Sequence, residues 1–286
     1  MKDILVSHIS YRVKNKTILN NISFAVDAGE AFALLGENGS GKSTLIDIIL
    51  DDIKPSEGNV NFFEQPKINF DKVGVLYDHL PLFMMLKVSE SIHYFAVIHR
   101  LNYDAIKKKY FDIFEINKIE HTLVKELSQG ERKRVGILLA IMHNPRLLIL
   151  DEPFANLDPT IIDRIWNTIN NGYRTVFFTT HNWKEAEKQA TKIGFIYDGK
   201  IIYPPESPHE ILHKLPSQKK IRIDWFDGVT DKLKDYRYYI HDEAVVVFFD
   251  EHSELLKTIS AFTNNFSVKN VGLEDAYLFH VSTHQL

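Results

Sequence analysis

The sequence predicts an α/β fold with a parallel core sheet, on three observations. An apolar run at 31–35 enters the glycine-rich stretch Gly36-Glu37-Asn38-Gly39-Ser40-Gly41-Lys42-Ser43 and leaves it in an apolar-periodic segment, so strand, loop and helix follow one another. A second apolar run, Leu147-Leu148-Ile149-Leu150, ends in Asp151-Glu152-Pro153, and a third, at 175–180, ends at His181. Buried parallel strands read as continuous apolar runs, and open sheets of this kind bind ligands at the strands' carboxyl ends.

The elements follow in order. Alternating Ile4 and Val6, then Ile22, Phe24 and Val26, predict an antiparallel β layer over 3–27. The glycine-rich loop predicts phosphate binding, because its backbone N–H groups curl around an anion and the following helix turns its positive end toward it. Lys42 reaches the β- and γ-phosphates and Ser43 offers its hydroxyl to Mg²⁺. Gly36, Glu37, Asn38, Gly39, Ser40, Gly41, Lys42, Ser43 and Thr44 are thus the candidate phosphate contacts. A strand at 73–77 leads to Asp78, and residues 79 to about 145 read as mainly helical. Within them, Ser128-Gln129-Gly130-Glu131 is a capping box by spacing, with Ser128 as cap and Glu131 reaching back. Asp151, at a buried strand's end beside the loop, suits Mg²⁺ held through water. Glu152 comes next, placed to polarise an attacking water, a role typically worth about 10²–10⁴ in rate. His181 takes the ligand end of its strand.

In combination these segments resemble the ATP-binding subunit of an ABC (ATP-binding cassette) transporter, over about residues 3–203. The resemblance implies a P-loop NTPase cassette with an antiparallel β subdomain and a helical insert, using ATP and Mg²⁺. It makes Glu152 the catalytic carboxylate and His181 the switch histidine. It also implies a head-to-tail dimer, homo- or heteromeric, in which Ser128, Gln129, Gly130 and Glu131 grip the γ-phosphate held by a second cassette. Gln129 and Glu131 depart from the usual Leu-Ser-Gly-Gly-Gln, yet Ser-x-Gly is kept. Asn156-Leu157-Asp158 matches the D-loop that communicates across the dimer. Tyr11 stands where an aromatic stacks on adenine, or equally serves as a strand residue covering the sheet.

Asp78 occupies the position where the family places a glutamine that touches Mg²⁺ and water. Two unit charges about 4 Å apart at an effective dielectric of about 20 interact by about 4 kcal/mol, so an ionised Asp78 cannot simply face a phosphate. It coordinates Mg²⁺, lies withdrawn until closure, or merely begins a turn. The Pro81-Leu82-Phe83 continuation resembles antimicrobial-peptide immunity and export cassettes. Phe83-Met84-Met85-Leu86 is either core or part of the groove that, in the family, receives a coupling helix from transmembrane permease subunits.

Composition agrees. A net charge of -4 argues against a nucleic-acid grip, and Lys107-Lys108-Lys109 reads as a solvated helix face. Zero cysteines exclude disulfides and thiolate metal sites. No apolar run is long enough to cross a bilayer and the amino terminus lacks a secretory pattern, so the expected location is peripheral, on the cytoplasmic face of the cell membrane. The expected domains are a cassette at 1–205, a linker at 206–218 marked by Pro204, Pro205 and Pro208, and a small α+β accessory domain at 219–286. That last domain reads as strands at 221–226, 244–249 and 266–271 with helices at 253–263 and 273–280. His280 and His284 are four apart but offer no rigid metal site. The close, from Val271 to Leu278, resembles the ending of exporter ATPases. Two rival readings are a soluble non-transport ABC ATPase, which would need a second cassette in the chain, a coiled-coil insert or a basic surface, and a weakly hydrolysing regulatory module.

Overall fold

The computed structural model describes residues 1–78, 83–170, 173–250 and 254–284. The expected Pro81-Leu82 segment and Ser253 lie outside the described residues, as does the side chain of His284. The chain divides into two units, Met1–Ile201 and Ile202–Leu286.

The first unit begins with a hairpin. Strands β1 (Lys2–Val13) and β2 (Lys16–Asp27) pair antiparallel with Ile4 opposite Val26 and Val6 opposite Phe24, which buries the alternating apolar residues together. The wholly buried β3 (Ala31–Leu35) feeds α1 (Lys42–Ile49), and β4 (Glu57–Phe62) returns to pair with β1. The sequence pattern had not marked β4, since Glu57, Gly58 and Asn59 supply no apolar run. Next come β5 (Val73–Leu76), α2 (Val88–Ile98), α3 (Tyr103–Tyr110) and α4 (Gln129–Ile141), followed by β6 (Leu147–Leu150) and α5 (Pro159–Ile169). The unit closes with β7 (Thr175–Thr180), α6 (Trp183–Gln189), β8 (Lys192–Tyr197) and the start of β9 (Lys200–Glu206).

Three strands form an antiparallel layer in the order β2-β1-β4, and six form a second sheet in the order β5-β6-β7-β3-β8-β9. The pairings from β5 through β8 in that sheet are parallel. Phe24 of the layer stacks on Phe32 at 5.1 Å and on Phe177 at 5.7 Å, which joins the two sheets through one apolar core. The strand order has a direct consequence for function. β6, β7 and β3 are neighbours, with Leu150 in register with Phe178 and Leu35 with Thr180, so the segments leaving their carboxyl ends emerge side by side.

The second unit holds α7 (Pro208–His213), β10 (Lys219–Asp224), β11 (Tyr238–His241), β12 (Ala244–Phe249), α8 (Leu255–Ser260), β13 (Phe266–Asn270) and α9 (Leu273–His284). Its antiparallel sheet has the order β11-β12-β10-β13. Ile221, Ile223, Val245 and Val247 pack there against Leu255 and Ile259 of α8. The stretch expected as a linker, 206–218, includes α7. Ser207 caps α7 in a capping box with Glu210, and Pro208 sits in the first turn, where the missing N–H costs nothing. Of the prolines that read as punctuation, Pro204 and Pro205 lie in β9 and Pro208 starts α7, while the two units divide at Ile201/Ile202.

Candidate functional site

The loop after β3 is held by close packing. A Cβ on Gly36 would lie 2.3 Å from the main-chain oxygen of Ile196, so no larger residue fits there without backbone movement. Gly41 then enters α1 with φ 107°. Glu37, Asn38, Gly39 and Ser43 are exposed, Gly41 and Thr44 half-buried, and Ser40 and Lys42 buried. Lys42 Nζ donates to the carbonyls of Gly36 (2.8 Å) and Glu37 (3.1 Å) and stands 3.8 Å from a Glu152 oxygen. Burial lowers the pKa of the Lys42 ammonium, while Glu152, Asp151 and Glu37 act in the opposite direction. The Ser40 hydroxyl is buried with no hydrogen-bond partner among the described residues. An exposed loop of main-chain N–H groups, a buried ammonium and an orphaned hydroxyl together fit a phosphate chain. The neighbouring oxygen donors, Ser43 and Asp151, suit a hard cation such as Mg²⁺.

Asp151 and Glu152 leave β6 next to this loop. Asp151 is 4% exposed, and its Oδ1 accepts from Thr179 of the adjacent β7. The same Thr179 Oγ1 accepts from the Glu152 N–H at 3.1 Å. Glu152 has φ 46°, a left-handed backbone that costs a non-glycine residue on the order of 1 kcal/mol or more. Such outliers gather at functional sites, and this one aims the carboxylate at His181, whose Nδ1 lies 2.9 Å from Glu152 Oε2. Burial, then Glu152, raises the pKa of nearby Glu185, a carboxyl that the sequence pattern did not mark. Thr179 was also missed, for it reads as an ordinary strand residue until β7 is known to lie beside β6.

Ser128 and Glu131 form the capping box that their spacing implied. Ser128 N–H and Oγ donate to Glu131 Oε2 at 2.9 and 2.8 Å, and Glu131 N–H donates back to Ser128 Oγ at 3.3 Å. These bonds hold the Glu131 carboxyl below its usual pKa. A Cβ on Gly130 would meet the Asn156 carbonyl oxygen at 2.6 Å, and Asn156 Nδ2 donates to Gln129 Oε1 at 3.1 Å, so the signature segment lies against the segment of Asn156. Asp158 caps α5, accepting from Thr160 N–H at 2.8 Å. Tyr11 is half-buried on β1 and packs on the core of the β layer. It faces Leu19 of β2, and Leu19 in turn touches the Gly41 position, which puts Tyr11 one strand away from the phosphate loop.

Asp78 follows the end of β5 and is paired. Its Oδ1 accepts from Lys133 Nζ at 3.1 Å, so the carboxylate has a cation beside it. Lys133 was missed because a lysine within a helix reads as a solvated side chain. The available signal was its place beside a run, Val135-Gly136-Ile137-Leu138, that is otherwise apolar.

Residues 19–155 match the family model described as ABC transporter. The ergothioneine transport ATP-binding protein EgtV of Helicobacter pylori (strain G27) is 32% identical, over 67% of this chain and 96% of that protein. This chain belongs to the ABC transporter ATP-binding family. It is accordingly a nucleotide-binding ATPase subunit coupled to transport, and such subunits work with transmembrane partners. The Nod factor export ATP-binding protein I of Neorhizobium galegae is also 32% identical, over 77% of this chain and 66% of that protein. Among solved structures, an ATP-binding subunit of an ABC transporter superposes with a TM-score of 0.65 at 22% identity, covering 74% of this chain and 92% of the other, which speaks for the cassette fold.

Proposed function

We propose that this ABC subunit drives export by closing head-to-tail with a second cassette around ATP and Mg²⁺, with Glu152 as the general base. The observation that carries this reading is the convergence of Lys42, Asp151, Glu152 and His181 at the carboxyl ends of β3, β6 and β7. In it, the backbone from Gly36 to Thr44 and the Lys42 ammonium bind the triphosphate, and Tyr11 covers adenine. Ser43 and Asp151 hold Mg²⁺, which when bound would neutralise phosphate charge. Glu152 takes the proton of the attacking water, and His181 orients the carboxylate through its Nδ1. Ser128, Gln129, Gly130 and Glu131 of the opposing cassette complete the site, with Asp158 near that junction.

Export is supported by the Nod factor relative's name. A permease face is supported by exposed Phe83, Met84 and Met85 and by exposed Tyr94, Val97 and Ile98 of α2. Phe83 and Tyr94 meet edge-on at 5.0 Å, and Tyr94 and Val97 line one cavity, an exposed apolar grouping of the kind found at interfaces. Among the described residues no helix is long and apolar enough to cross a membrane, in keeping with peripheral attachment to the permease on the cytoplasmic face. The test is ATP-dependent pairing of the Glu152→Gln variant, measured by light scattering with and without membrane subunits. A variant that binds ATP and stays unpaired in both conditions overturns the dimer.

A further inference from the structure

Helix α4 carries the signature residues in its first turn and, one turn on, a buried cation. The Lys133 side chain is 7% exposed. An ammonium is strongly hydrated in water, so its burial requires compensating acceptors. Two are present: Lys133 Nζ donates to Asp78 Oδ1 at 3.1 Å and to the main-chain oxygen of Asp151 at 3.1 Å. These acceptors follow the ends of β5 and β6, which are neighbours in the parallel sheet. The second belongs to the residue just before Glu152. One ammonium thus spans the signature helix and two strand ends of the hydrolytic site.

We propose that Lys133 is a positioning residue that ties the signature helix to the hydrolytic site through Asp78 and the Asp151 carbonyl. Asp78 and Lys133 form a neutral pair, which removes the repulsion that a lone carboxylate would exert on a phosphate. The pair works as one unit where a single neutral glutamine was expected at position 78. Movement of Ser128 on α4 is transmitted by the same tether to the backbone that sets the Glu152 carboxylate. A purely structural ion pair would behave differently. Loss of such a pair would lower the melting temperature and leave turnover unchanged.

The inference rests on the reading of Glu152 as the base, and the experiment separates the two. In the 286-residue chain, Asp78→Gln, Lys133→Gln and the double variant are compared for MgATP turnover and thermal melting. Each single change leaves one charge unpaired and is expected to lower kcat about tenfold, with KM for ATP within about threefold of the original. The double variant, with two neutral amides, is expected to return to within about threefold of the original kcat. Singles within about twofold, a double variant that loses the product of both effects, or a fall in melting temperature without a fall in kcat would overturn the tether. Should Lys133→Gln prevent folding, Asp78→Glu and Asp78→Asn are compared instead: the carboxylate variant is expected within about threefold of the original kcat and the amide about tenfold lower, and equal turnover of the two overturns the tether. Glu152→Gln runs in the same assay. If it turns over at the original rate, the reading of the base has failed; if it is inactive while the cycle is flat or additive, only the tether has failed.

Discussion

Glu152→Gln keeps the side chain's size and removes one negative charge from a carboxylate 3.8 Å from Lys42 and 2.9 Å from His181. Loss of a general base worth about 10²–10⁴ raises the barrier by about 2.7–5.4 kcal/mol, so kcat should fall by that factor. Binding should move the other way. At an effective dielectric of about 20, the charges of Lys42 and Glu152 at 3.8 Å attract by about 4 kcal/mol, a gross figure from which desolvation must be subtracted. Glu152 therefore competes with phosphate for Lys42, and it is the largest influence opposing the effect of burial on that ammonium. A neutral amide in its place ends the competition, and ATP is expected to bind as tightly as before or several-fold more tightly. Single-turnover hydrolysis gives the first quantity and equilibrium titration with a fluorescent ATP analogue the second. A kcat within about tenfold of the original refutes the base, and an affinity weakened by more than about tenfold refutes the competition.

Other residues give independent tests. Gly36→Ala forces a methyl to within 2.3 Å of the Ile196 oxygen, so the loop must shift, and nucleotide affinity measured by titration should drop about tenfold or more. Asp3, 0% exposed, accepts from Thr175 Oγ1 at 2.6 Å and pairs with Arg146 at 2.5 Å; Asp3→Ala should cost about 3 kcal/mol in urea unfolding, without loss of the phosphate site. Burial, then the His99 ring stacked at 4.2 Å, holds His143 below the usual imidazole pKa. Below about pH 6.5 the unfolded chain takes up a proton that the folded chain resists, so stability is present above that value and falls as pH falls. His143→Leu should flatten this acid limb in melting curves recorded from about pH 8 to about pH 5, a span that brackets the imidazole range; an unchanged limb refutes the assignment.

Much of the molecule was legible in short stretches of sequence. Apolar runs marked β3, β6 and β7, and the capping box at Ser128 marked the start of α4, because side-chain period and cap chemistry act over a few residues. β4 and α7 were not legible. β4 is polar and exists because β1 offers it an edge, and Pro208 marks a break or a helix start with equal local logic until Glu210 closes on Ser207.

The candidate phosphate contacts and the carboxylates at β-strand ends were set by the sequence itself, since each motif carries its own strand, loop and cap. Only the tertiary structure decided which charges meet. Asp78 and Lys133 are 55 residues apart, Asp151 and Thr179 are 28 apart, and Glu152 and His181 are 29 apart. Those encounters depend on β5, β6, β7 and β3 lying side by side, an order chosen by burial of the whole sheet rather than by any local pattern. The same sheet settles the surroundings of Asp78: an ammonium from α4 reaches it, because an unpaired cation could not remain buried where that helix packs.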